Sequence, residues 1–186
     1  ATPFHLEWKQ KKKDKPKIVA ICDVSGSVAQ YVRFLLMLLY ALKDVAPDIE
    51  TFAFSNRLKP VGDYLDQMKF DAAMARIMKV AGMGSTDYGQ AFSDLKVNHW
   101  NTIDRRTTVI ILGDGRNNDG DPRLDIMGEM NARAKRVIWL CPEHPASWGS
   151  GDSEMLRYKP YCSAMRHTAT LKALERAIDD ALAAYD

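Results

Sequence analysis

Lys17 to Cys22 reads KIVAIC, a β-branched apolar run without polar alternation, and the polar turn DVSGS (23–27) follows it at once. Such a strand has no face to give to water, so it belongs at the centre of a parallel sheet covered on both sides. Thr107 to Gly113 (TTVIILG) reads as another buried strand, and Arg136 to Cys141 (RVIWLC) as a further strand. Helical patterns fill the gaps: Val28 to Ala46, stopped by Pro47; 64–81, either continuous or broken near Phe70; about 88–96; and 122–134, with Pro122 in the first turn. A last helix runs from its cap Thr170 to about Tyr185. Ile49 to Phe54 and Leu58 to Gly62 read as a hairpin turning at Ser55-Asn56-Arg57, and Ala164 to Thr168 as a final strand. Residues 142–161 read as irregular, with one helical turn near Glu154. This alternation predicts an α/β fold: a doubly wound, mainly parallel sheet with one antiparallel edge strand and helices on both faces.

A chain of 186 residues suits one domain, and 46% apolar with 27% charged residues excludes disordered or collagen-like classes. Three cysteines cannot close a disulfide framework, which points to a reducing, cytoplasmic setting. The apolar run Phe34 to Leu42 is too short for the roughly 20 residues of a membrane span. The net charge of +2 hides an asymmetry: residues 1–17 carry six lysines against Glu7 and Asp14, leaving −2 for the rest. Residues 1–16 therefore read as a basic linker or leader and 17–186 as the domain. The start Ala1-Thr2-Pro3 suggests the C-terminal part of a longer chain.

In such sheets ligands bind beyond the carboxyl ends of the strands, where the strand order reverses. Asp23, Ser25 and Ser27 alternate directly after the first buried strand. Thr86 comes from the loop GMGSTDYG (82–89), and Asp114 opens DGRNNDGD (114–121) after a later strand. Five hard oxygen donors from three segments suit Mg²⁺ or Mn²⁺. Only two of the five are charged, so the ion stays electrophilic and can take a carboxylate from a protein partner.

The order Asp23-x-Ser25-x-Ser27, Thr86, Asp114 resembles the metal-ion-dependent adhesion site of von Willebrand factor A (VWA) domains, over residues 16–186. The stretches CDVSGS, GSTDYG, GDGRNN and SWGSGDSEMLRY resemble the bacterial CoxE-like branch. The resemblance implies that Asp23, Ser25, Ser27, Thr86 and Asp114 hold the ion directly or through water. It implies a non-catalytic protein-binding module, paired with a MoxR-type AAA+ ATPase or its client in maturing or activating a metalloenzyme or other complex. Ser85 stands where many relatives place Gly, which stiffens the loop without removing a ligand.

Other readings are weaker. An aspartate-based Mg²⁺ phosphohydrolase wants a second carboxylate two residues after Asp23, where Ser25 stands. An RNA-binding module would use the lysine leader, which has only Phe4 and Trp8 as aromatics, so nucleic acid is not the expected partner. Cys141 and His144 have zinc-like spacing but lack a second pair, and Asp119 sits where an EF-hand loop needs Gly. Asn117 and Asn118 read as loop-shaping residues. Gln30, Arg33 and Asp44 align through Met37 and Tyr40 as one stripe on the first helix, which is either buried or exposes Met37 and Tyr40 as a docking face for a preceding N-terminal region or a partner. Trp148, Tyr158 and Tyr161 beside Asp152, Glu154 and Arg157 form either a recognition rim or a packed connecting loop.

Overall fold

The computed structural model describes residues 16–46 and 48–183; the lysine leader up to residue 15, Pro47 and the end of the last expected helix lie outside them. Six strands form one sheet: β1 (Lys17–Asp23), β2 (Asp48–Phe54), β3 (Leu58–Pro60), β4 (Thr107–Leu112), β5 (Arg136–Cys141) and β6 (Ala164–His167). Their order is β3-β2-β1-β4-β5-β6, with β3 antiparallel to β2 and all other pairs parallel. The helices are α1 (Val32–Val45), α2 (Gly62–Gln67), α3 (Phe70–Ala81), α4 (Tyr88–His99), α5 (Leu124–Arg133), α6 (Met155–Tyr158) and α7 (Leu171–Ala183).

The strand period of two explains the layering. Ile18, Ala20, Cys22, Ile110, Leu112, Ile138 and Leu140 pack with Leu35, Leu39 and Leu42 of α1, Ile77 of α3 and Ile178 of α7. Their neighbours Val19, Ile21, Val109, Ile111, Val137 and Trp139 pack with Phe92 and Leu95 of α4, Met127 and Met130 of α5, and Tyr158 of α6. Both faces are covered, which is why these strands carry no polar alternation. Cys22 and Cys141 are buried at strand ends, and all three cysteines are free thiols.

Several boundaries differ from the sequence reading. The first helix starts at Val32, not Val28: a 3₁₀ turn at Gly26–Val28 intervenes, because DVSGS stays at the sheet edge before the chain turns down. The segment 64–81 is two helices, with Met68 and Lys69 extended between them. Pro122 precedes α5 instead of opening it, and Arg123 (φ 51°) makes the entry. The antiparallel edge strand ends at Pro60 and the final strand at His167, while α4 runs on to His99. Among the described residues, no helix is long and apolar enough to cross a membrane.

Candidate functional site

β1 and β4 lie side by side at the centre, with Cys22 level with Leu112, and the strand order reverses between them. Asp23 ends β1, Asp114 follows β4, and the loop before α4 brings Thr86 across to them. Asp23 Oδ1 accepts the Ser25 amide at 2.9 Å, which folds the DVSGS turn back over the strand end. Thr86 Oγ1 donates to Ser25 Oγ at 2.7 Å; Ser25 Oγ lies 3.1 Å from Ser27 Oγ, and Ser27 Oγ 3.3 Å from Thr86 Oγ1. The structure thus gathers the three hydroxyls into a closed triangle beside two buried carboxylates. Asp23, Ser25 and Asp114 are fully buried, whereas Ser27 is exposed and opens the cluster to solvent.

The electrostatics are uncompensated. Asp114 Oδ1 accepts the Arg116 amide at 3.0 Å, but its buried Oδ2 has no hydrogen-bond partner. Burial, and next the negative charge of Asp23, push the Asp114 carboxyl up to about 7; the Arg116 amide and the nearby Ser27 hydroxyl oppose the shift. Burial also raises Asp23, against its hydrogen bonds from Ser25 and Tyr88. Among the described residues no three His, Cys, Asp or Glu side chains gather as a metal cluster, and the carboxylates at this edge stand beside hydroxyls instead.

Residues outside the expected donor set hold the geometry. The Tyr88 hydroxyl donates to Asp23 Oδ2 at 2.7 Å and accepts the Gly115 amide at 3.1 Å, tying the β1 and β4 loops together. The only trace of it in the sequence is its place in GSTDYG, where it reads as a helix start. Gly113 must lack a side chain: a Cβ there would lie 2.1 Å from the Tyr88 hydroxyl and 2.7 Å from Asp23 Cβ. Asn117 shapes its loop as expected, accepting the Tyr88 amide at 2.6 Å and donating to Gly120 O at 3.0 Å. Ser55, read only as a turn residue, donates to Ala81 O and accepts the Gly84 amide at 3.1 Å. With Met83 N to Val24 O at 2.8 Å and Gly26 N to Gly84 O at 3.2 Å, it pins the 82–86 loop over the DVSGS turn.

The other expected residues lie elsewhere. Met37 and Tyr40 are half-buried against the core under α1, with Tyr40 edge-on to Phe70 at 5.6 Å. Tyr158 is fully buried, stacked on Trp139 at 4.9 Å and donating to Pro122 O at 2.8 Å, so it forms no rim. Trp148 is half-buried and donates to Glu143 O at 3.0 Å. Asp152 receives Arg116, which also forks onto Glu143, and Glu154 pairs with Arg157 at 2.8 Å. The 147–161 loop does reach the Asp114 edge: the Glu154 amide donates to Gly115 O at 2.8 Å and the Asn117 amide to Asp152 O at 3.2 Å. The exposed His144 packs at 5.4 Å against His167, and its Nδ1 accepts the Ala146 amide.

Solved structures share this fold at low identity. A von Willebrand factor type A protein from Catenulispora acidiphila aligns with TM-score 0.58 and 16% identity, over 91% of this chain and 42% of its own. BatB from Bacteroides thetaiotaomicron aligns with TM-score 0.58 and 12% identity, over 90% of this chain and 97% of its own. The manganese-loaded TRAP protein of Plasmodium vivax aligns with TM-score 0.61 and 14% identity, over 92% of this chain and 75% of its own. The chain thus spans less than half of the Catenulispora structure. No curated protein matches it by sequence. Residues 1–176 match the family described as "VWA domain containing CoxE-like protein". The chain belongs to that family of CoxE-like VWA domains.

Proposed function

We propose that this domain binds a protein partner through a divalent ion, Mg²⁺ or Mn²⁺, held by Asp23, Ser25, Ser27, Thr86 and Asp114. The observation that carries the reading is the buried Asp114 Oδ2, left without a partner beside three mutually bonded hydroxyls. A buried polar atom without a partner is costly unless something outside the protein completes it. The hydroxyl triangle fits a small cation. With Mg–O at about 2.0–2.1 Å, adjacent octahedral ligands stand roughly 2.9 Å apart; the triangle edges are 2.7, 3.1 and 3.3 Å. The manganese in the TRAP structure of the same fold supports the choice of a divalent ion.

The ion would supply an electrophilic point for an acidic side chain of the partner. The protein's residues do the rest: Tyr88 and the Ser25 amide orient Asp23, the Arg116 amide orients Asp114, and the exposed Ser27 side leaves the approach open. Ser25 occupies the place where a phosphohydrolase would need its second carboxylate, and its hydroxyl is engaged by Thr86, so binding is favoured over phosphoryl transfer. We place the partner with a MoxR-type AAA+ ATPase or its client, as the family suggests, and the domain in the cytoplasm. The test is thermal unfolding in EDTA and in millimolar Mg²⁺ or Mn²⁺. At tenfold excess over Kd a bound ion adds ~1.4 kcal/mol, or roughly 3–6 °C in Tm for this size. The native chain should shift and Asp23→Ala should not; partner capture unchanged in EDTA would overturn the metal bridge.

A further inference from the structure

Resting on that reading, we infer that the partner's metal-bound carboxylate is one of at least two acidic residues, the second seated in a basic cleft beside the site. The cleft is about 300 Å³ and is lined by Ser55, Asn56, Arg57, Lys59, Lys79 and Gly84, among others, with no carboxylate in its wall. Arg57 is neutralised by Asp94, onto which its guanidinium forks at 2.9 Å. Lys59 and Lys79 are exposed and form no ion pair among the described residues. Two uncompensated ammonium groups across a concave surface attract a carboxylate group.

The cleft and the ion site share a wall. Gly84, which lines the cleft, accepts the Gly26 amide at 3.2 Å within the DVSGS turn. Ser55, also in the cleft, accepts the Gly84 amide at 3.1 Å and, through its carbonyl, the Asp87 amide at 2.9 Å. Met83, between the cleft-lining Gly82 and Gly84, is 58% exposed and held at φ 62°. A left-handed backbone is uncommon for a non-glycine residue, and this one presents an apolar side chain to solvent. Carboxylate, apolar contact, second carboxylate is the pattern of an acidic peptide segment, and the combination of Met83 with the lysines favours it over a nucleic acid.

The experiment measures fluorescence anisotropy of two labelled octapeptides, octaglutamate and a Gly/Ser peptide with a single Glu, in millimolar Mg²⁺ and in EDTA. Octaglutamate should bind the native chain about tenfold more tightly than the single-Glu peptide, as charge-assisted contacts allow. Lys59→Glu/Lys79→Glu should erase that advantage, keep the Tm shift with Mg²⁺ and leave single-Glu binding within about twofold. The control Lys159→Glu/Lys172→Glu, with the same change in net charge on exposed residues elsewhere, should keep the advantage. An advantage that survives reversal of Lys59 and Lys79, or that the control loses equally, overturns the cleft. A labelled oligouridylate that outcompetes octaglutamate on the native chain but not on the Lys59/Lys79 variant also overturns it. If EDTA leaves single-Glu binding unchanged, it is the metal bridge that fails; the cleft is still read from the native and reversed chains compared in EDTA.

Discussion

Replacing Asp114 by Asn separates what the site costs the fold from what it does for an ion. The carboxyl titrates at about 7 in the folded chain, against about 3.9 in an unfolded one. Between those values the folded state keeps a proton that the unfolded state has lost. The Asp114 contribution to stability without metal therefore falls as pH rises from about 4 to about 7, and is level above. Three units correspond to at most roughly 4 kcal/mol of destabilisation at pH 8. Asparagine keeps the oxygen that accepts the Arg116 amide and puts a neutral NH₂ where Oδ2 has no donor, close to the Asp23 carboxylate. In EDTA at pH 8, Asp114→Asn should melt higher than the native chain; half of that energy gives ~4–8 °C at this size. The two melting points should converge towards pH 4.5, and in millimolar Mg²⁺ only the native chain should rise. Calorimetric unfolding at several pH values, with and without metal, reads all three. A variant that melts at or below the native chain in EDTA at pH 8 refutes the reasoning, because burial of an unpaired charge would then not be what the site costs.

Four further outcomes follow from the same geometry. Mg²⁺ affinity, measured by titration calorimetry, should weaken by up to about tenfold per pH unit below 7 as a proton competes for Asp114; a flat profile from pH 8 to 6 would contradict this. Tyr88→Phe leaves the buried Gly115 amide and Asp23 Oδ2 without their shared hydroxyl, and should cost about 1–3 kcal/mol and loosen metal binding, seen as a smaller Tm shift with Mg²⁺. Gly113→Ala cannot fit without moving Tyr88 or Asp23, so the purified variant should lose its metal response even where circular dichroism shows it folded. Asp94→Ala removes the acceptor of the Leu58 amide, Gln90 and Arg57 and should cost about 1–3 kcal/mol in urea unfolding, while leaving the Mg²⁺ shift intact.

KIVAIC was legible as a central strand and TTVIILG as a buried one because burial on both faces leaves no polar position, RVIWLC was legible as a further strand, and a parallel sheet then requires crossover helices. Asp23, Ser25, Ser27, Thr86 and Asp114 were legible as one group because each follows or precedes an element whose end must lie on the carboxyl edge. Their order along the chain, though not their distances, follows from that alone. Tyr88, Ser55 and Gly113 were not legible as site residues, since their roles are contacts across loops: a phenol joining two loops, a serine pinning a third, a glycine making room for the phenol and Asp23. The same limit applies to the 147–161 aromatics. Composition cannot say whether Tyr158 faces solvent or Trp139, because both places reward a ring with a polar tip. Local pattern, then, determined the strands, the layers and which polar turns meet at the carboxyl edge, since these depend on neighbours along the chain. The tertiary structure alone decided that Asp114 would be buried beside Asp23 with one oxygen unpaired, and that two lysines would line a cleft beside that site. Those are energies of groups brought together from distant segments, and only the closed fold sets their distances.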